Sequence, residues 1–330
     1  MAEWTSPAFH EEVRGWVVEQ LARSGARLTG EWDQPHARPW SSAIRFESTV
    51  GRVWFKVNGP GTAHEPGLLA LLDGVVPGLV PEVLAVDVAR GWSLSRDGGP
   101  VLRELAPPER LWPQWERVLT VYAEAQILLA EHRDAVLGTG VREVSPATIP
   151  GQARTVLDEL AATPVEQGGL TAEQADDVAA LLPSLDVWCA ELAASGVPDS
   201  VQHDDLHSSN VCWPEDGSFR VIDWGDTVWG SPLGTMLATM NSIAWHAGLF
   251  VDEQPVDAPP VLRLRDVYLE PFTVFADRAT LVRAVQLARR TGCVGKALSY
   301  QAALSGHPEA HAEQEFPVRE WFLGLLEGWL

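Results

Sequence analysis

The nine residues QHDDLHSSN, 202–210, admit two readings. His203 and His207 stand four apart, a spacing that puts two imidazoles on one helical face, as in the zinc-protease pattern H-E-x-x-H. Asp205 and Asn210 stand five apart. That is the spacing of a phosphate-handling loop, in which the aspartate receives a hydroxyl proton and the asparagine offers an oxygen to Mg²⁺. The neighbours decide. Val197-Pro198 precedes the stretch and the strand-like Asn210-Val211-Cys212-Trp213 follows it, which leaves little room for a helix. Aspartate also stands where the zinc motif needs the longer glutamate, and no third ligand has an evident helical placement downstream. The turn Pro214-Glu215-Asp216-Gly217-Ser218 leads on to Phe219-Arg220-Val221-Ile222-Asp223-Trp224, so the segment reads as a hairpin. Asp223 follows Asn210 by 13 residues. Mg²⁺ takes oxygen ligands, and two side chains on opposite sides of one hairpin can supply them. Asp205 is then free to orient an acceptor hydroxyl. Singly, such residues more often cap turns or end strands; their order and spacing together point to chemistry.

Working outward, residues 7–24 have the period of an amphipathic helix, with Phe9, Val13, Trp16, Val17 and Leu21 on one face. LTGEWDQPH from Leu28, then SAIRFES and GRVWFKV, are short β-forming runs separated by turn-like RPWS and TVG. Thr62-Ala63-His64-Glu65 has the form of a capping box opening a helix through LLALL, with Pro66 tolerable in its first turn. PEVLAVDVA and GWSLSR give two more strands. From about residue 106 the pattern turns helical: Trp115–His132, Ala172–Ala194, Leu233–Phe250, Val261–Phe275, Ala276–Thr291 and Val318–Leu330, with 138–151 as a connection.

Composition narrows the function. With 45 acidic against 24 basic residues the net charge is −21, which disfavours a nucleic-acid partner. From Thr155 to Phe219 there are 13 acids and no Lys or Arg. Such a run serves either as a solvated surface or as a field that attracts a cationic substrate. Lysine occurs only at Lys56 and Lys296, so each lysine kept where arginine is the habit calls for a reason. Cys189, Cys212 and Cys293 are odd in number and widely spaced, which favours reduced thiols in a cytoplasmic protein. The opening MAEWTSPAFHEEV lacks a signal-peptide pattern. The apolar stretch 67–89 is broken by Asp73, Pro77, Pro81, Glu82 and Asp87, so no membrane partner is expected.

His203-Asp204-Asp205-Leu206-His207-Ser208-Ser209-Asn210 and Ile222-Asp223-Trp224 resemble the H-G-D-L-H-x-x-N and I-D-W signatures of the aminoglycoside phosphotransferase and choline kinase-like family. The resemblance implies an α+β, bilobal protein-kinase-like fold. A five-stranded antiparallel sheet lobe would span 1–98, and a larger, mainly helical lobe with the catalytic loop and acceptor site would span 99–330. It implies an ATP-dependent kinase of a small-molecule acceptor, with Mg²⁺, acting as a monomer or homodimer. Asp205 is the implied catalytic aspartate, with His207 near the transferred phosphate and His203 a brace for the loop. Asn210 and Asp223 are the implied metal ligands. Lys56 would contact the α- and β-phosphates, with Glu65 its partner. Trp40, Ser41 and Ser42, in the glycine-free loop 38–42, would cover the phosphates. Leu94, Ser95, Arg96 and Asp97, within 93–99, would carry the adenine-facing linker. Trp229, Trp245, Trp321 and Trp329 are candidates for an acceptor wall. Two departures stand out: Asp204 replaces the usual glycine, and Gly234 stands where an acid often follows the second motif. An amine-bearing acceptor is expected from the charge. A neutral metabolite or sugar acceptor, or a non-catalytic nucleotide-binding protein, are the alternatives; no A-P-E-like segment follows Asp223 to support a protein kinase.

Overall fold

The computed structural model describes residues 4–251, 254–255 and 258–327. Helix α1 (Pro7–Arg23) starts at Ser6, whose hydroxyl accepts from the Phe9 amide at 3.2 Å. Its apolar face lies on a five-stranded antiparallel sheet of β1 (Leu28–Ala37), β2 (Ser41–Ser48), β3 (Gly51–Asn58), β4 (Val83–Asp87) and β5 (Trp92–Arg96). The spatial order is β1-β2-β3-β5-β4. Phe9, Trp16, Phe55 and Trp92 meet edge to face, with centroids 5.1 Å apart for Phe55 and Trp92. The alternation that buries Val53, Phe55 and Val57 beneath α1 sends Lys56 to the opposite face, toward the rest of the chain.

Helix α2 (Glu65–Val75) is inserted before β4. The capping box expected at its start does not form. Thr62 lies in a preceding 3₁₀ turn and donates instead to the Trp40 carbonyl at 3.2 Å. Glu65 is the first helical residue, and its carboxylate is drawn away to Lys56 and Trp224.

The remainder is mainly helical: α3 (Leu102–Leu105), α4 (Trp112–Leu129), α5 (Arg133–Gly138), α6 (Ile149–Ala162), α7 (Ala172–Ala193), α8 (Thr235–His246), α9 (Pro259–Leu269), α10 (Arg278–Ala303), α11 (Pro308–Glu313) and α12 (Pro317–Glu327). Three short strands, β6 (Arg142–Val144), β7 (Ser200–Gln202) and β10 (Val228–Gly230), form a small sheet. The predicted hairpin is present as β8 (Val211–Cys212) and β9 (Arg220–Val221). A second two-stranded ribbon pairs β11 (Phe250–Val251) with β12 (Gln254–Pro255). Among the described residues no helix is long and apolar enough to cross a membrane.

Helix α10 is the spine of this half, with α7, α8 and α12 packed around it. It runs to Ala303, well past the expected end at Thr291, through Gly292 and Gly295. In the fold they are contact points: a Cβ at Gly292 would lie 3.2 Å from the Leu237 side chain, and one at Gly295 would lie 3.5 Å from Val144. The end of α10 also meets the sheet half. A Cβ at Gly61 would come within 2.0 Å of the Ala302 carbonyl oxygen, so only glycine allows this approach.

Candidate active site

Residues 203–210 form a loop between β7 and β8 rather than a helix, so the two histidines do not share a helical face. His203 is fully buried. Its Nε2 donates to the Ile222 carbonyl at 2.9 Å, and its Nδ1 accepts from the Asp205 amide at 3.3 Å. Burial lowers its pKa to about 4, so the ring is neutral and braces the loop, as expected. Trp224 packs edge-on against it at 4.7 Å.

Asp204 adopts a left-handed backbone, φ 64°, which accounts for glycine being usual there. Its buried carboxylate accepts from Gln202 Nε2 at 2.7 Å and lies 3.5 Å from Ser299 Oγ. Burial pushes its pKa up to about 7.

Asp205 turns its carboxylate to the cleft. Oδ2 lies 3.2 Å from His207 Nε2 and 3.3 Å from Asn210 Nδ2; Oδ1 lies 3.6 Å from Lys296 Nζ. Burial opposes ionisation, but Lys296 and then His207 overcome it, and the carboxyl stays well below its ordinary pKa. His207 accepts the Ser209 amide on Nδ1 at 3.2 Å. Its Nε2 faces Asp205 Oδ2 at 3.2 Å and Asn210 Nδ2 at 3.4 Å, which places the ring beside the catalytic carboxylate.

The second cluster joins the two halves of the chain. Lys56 Nζ lies 2.6 Å from Glu65 Oε2 and 2.5 Å from Asp223 Oδ1. Glu65 Oε1 accepts the Trp224 amide at 3.0 Å, so one buried carboxylate ties α2, β3 and the turn after β9. Burial works against the ammonium, yet Asp223 and Glu65 hold Lys56 above lysine's ordinary pKa; Lys56 in turn depresses Asp223. Asp223 is left-handed at φ 65°, the turn that lifts its half-exposed carboxylate out of the hairpin. Asn210 sits directly across that hairpin: the Ile222 amide donates to the Asn210 carbonyl at 2.9 Å. Asn210 spends its amide N–H on Asp205, at 2.9 Å to the backbone oxygen, which leaves its side-chain oxygen as the acceptor end. Among the described residues no group of three or more His, Cys, Asp or Glu could hold a metal ion. Asn210 and Asp223 offer oxygen ligands, the kind a hard cation such as Mg²⁺ takes when phosphate oxygens and water supply the rest.

Two cavities flank this centre. The larger, about 450 Å³, lies between the sheet and the hairpin. Ala43, Leu69, Val101, Cys212 and Ile222 give it apolar walls, and Lys56, Asn210 and Asp223 line it too. Ser95, Arg96 and Asp97 line it. Leu94 does not; alternation along β5 points it into the core under α1. Ser41 lines both cavities. Ser42 faces the other way, fully buried, with its hydroxyl donating to the His36 carbonyl at 2.9 Å and accepting from Gln34 at 2.7 Å. It is not available to a phosphate.

The smaller cavity, about 170 Å³, is lined by Trp40, Asp205, Asp223, Asp226, Tyr300 and Gln314, among others. Asp226 and Lys296 are the residues that sequence reasoning did not assign. Of the four tryptophans expected to wall an acceptor, Trp229 is buried core, and neither Trp245 nor Trp321 lines either cavity. Trp329 lies outside the described residues.

Residues 76–235, which hold the catalytic loop and the hairpin, match the model of the phosphotransferase enzyme family. That segment, 160 of the chain's 330 residues, is what resembles the family. No curated protein matches it in sequence. Among solved structures it is similar to the choline kinase of Streptococcus pneumoniae, at 13% identity and TM-score 0.61 over 96% of this chain and 99% of that one. A macrolide 2'-phosphotransferase from Brachybacterium faecium is similar at 17% identity and TM-score 0.58, over 92% and 97%. A Plasmodium vivax ethanolamine kinase is similar at 14% identity and TM-score 0.56, over 91% and 81%. A second structure of the first of these enzymes is a complex with AMP. Such distant likeness speaks for the fold, and the sheet lobe and helical half of this chain fit it.

Proposed function

We propose that this phosphotransferase moves the γ-phosphoryl group of ATP to a hydroxyl of a small, amine-bearing molecule. The observation that carries the reading is the meeting of the two cavities at His36, Ser41 and Asp223, with Asp205 facing the smaller one. In this reading the nucleotide occupies the larger cavity, with its base between Ala43, Leu69, Val101 and Ile222 and its phosphates toward Lys56. Mg²⁺ at Asn210 and Asp223 would offset charge on the β- and γ-phosphates. Asp205, held ionised by Lys296 and His207, accepts the acceptor's hydroxyl proton and aims its oxygen at the phosphorus. Asn210 and the buried His203 keep that carboxylate in place.

The amine rests on local charge. Asp205, Asp223 and Asp226 all face the smaller cavity. The acidic run 155–219 contributes less than its count suggests. Many of its acids ride on α6 and α7, and two are paired with arginines outside the run: Asp186 with Arg154 at 2.7 Å, and Glu191 with Arg283 at 2.8 Å.

The test is an ATP-consumption screen with mass detection of the phosphorylated product, run across aminoglycosides, amino sugars, amino alcohols and neutral sugars. An amine-bearing compound should lead it. Its KM should rise with added salt, since the Debye length is only about 8 Å at physiological ionic strength, while that of MgATP changes less. A preferred neutral acceptor with a salt-independent KM would remove the amine from the proposal and leave the kinase.

A further inference from the structure

Lys296 sits on α10 with its side chain only 3% exposed, 91 residues after Asp205 in sequence. Its ammonium donates to the Asp204 carbonyl at 2.8 Å and lies 3.6 Å from Asp205 Oδ1, with the Tyr300 and Trp321 rings each 5.7 Å away. A buried lysine discards its proton unless it is paired. Burial disfavours the charge here, and Asp205, Asp204 and Asp226 together keep it.

We propose that Lys296 is a positioning residue of the catalytic loop, fixing Asp205 from behind through the Asp204 carbonyl and the Asp205 carboxylate at once. This rests on the kinase reading above. Two observations separate it from a plain counter-ion of Asp204. The Asp204 carboxylate is bonded by Gln202 and faces Ser299, while Lys296 takes the Asp204 carbonyl. The nearest carboxylate to the ammonium is that of Asp205. The contacts to Asp205 then divide cleanly: Lys296 holds Oδ1, and His207 and Asn210 hold Oδ2. The choice of lysine in a chain that otherwise uses arginine also follows. A single-point donor on a thin stem fits between two aromatic rings, where a planar fork with five N–H groups would leave donors unsatisfied.

The experiment uses MgATP hydrolysis by water, which needs no known acceptor, and MgATP affinity by calorimetry. Lys296→Met should lower turnover at saturating MgATP at least tenfold and leave Kd within about twofold, a split that general loosening of the fold would not give. Asp204→Gly suits the left-handed turn and removes the buried acid, so the double variant Asp204→Gly/Lys296→Met should fold even where the single one fails. It should turn over at least tenfold more slowly than Asp204→Gly alone. Equal rates for those two would reduce Lys296 to a counter-ion and overturn the proposal, as would a Lys296→Met enzyme with unchanged turnover. Absence of MgATP binding and hydrolysis in the unaltered protein would instead strike the kinase reading.

Discussion

Asp205→Asn should lower kcat by about 10²–10⁴, the usual scale for a positioned general base. The amide keeps the size of the carboxylate and most of its hydrogen-bonding positions, but it cannot take a proton. His207 and Lys296 would then face a neutral group, which adds some loss of alignment. MgATP affinity should change little, because the carboxylate borders the smaller cavity and is absent from the walls of the larger one. Steady-state kinetics against any acceptor found by the screen, with a separate MgATP titration, reads both numbers. Near-full turnover in Asp205→Asn would show that the loop has been misread.

Asp223→Ala should cost at least 10²–10³ in turnover, as loss of an electrostatic contact to the reacting group does, and should abolish the Mg²⁺ dependence of nucleotide binding. The effect is twofold. A cation ligand disappears, and Lys56 loses the closer of its two carboxylates, so the ammonium can swing toward Glu65 alone. Asn210→Ala removes only the ligand and serves as the comparison. A Mg²⁺ titration of nucleotide binding in all three proteins decides the matter. A Mg²⁺ response in Asp223→Ala that matches the unaltered protein would take the metal away from this hairpin. Stoichiometric zinc that is lost on His207→Ala would revive the histidine-pair reading.

The parts of this site that lie close in sequence were legible there. Asp205, Asn210 and Asp223 fall within 19 residues, and a hairpin between two of them constrains where they meet. The five strands were legible because each carries β-forming residues bounded by turns. Local rules failed where a distant partner outbid them. Thr62 and Glu65 have the right letters for a capping box, but Trp40 claims the hydroxyl, and Lys56 and Trp224 claim the carboxylate. Ser42 and Leu94 were placed by segment, and the two-residue alternation of a strand sent each to the wrong face. Lys296 comes to Asp205 from the part of α10 that lies beyond the end expected at Thr291. Only the scarcity of lysine marked it beforehand.

That scarcity has a practical side. Both ε-amines of the chain lie against carboxylates of the candidate site: Lys56 is 18% exposed and Lys296 3%, and neighbouring carboxylates keep both protonated. Acylating reagents attack the unprotonated amine, so near neutral pH the folded protein should take up little label at either position. Peptide mass spectrometry after brief acylation then becomes a gauge of the integrity of this one region. Label at Lys56 alone would report a parted sheet and hairpin, and label at Lys296 would report a helical half that has come undone.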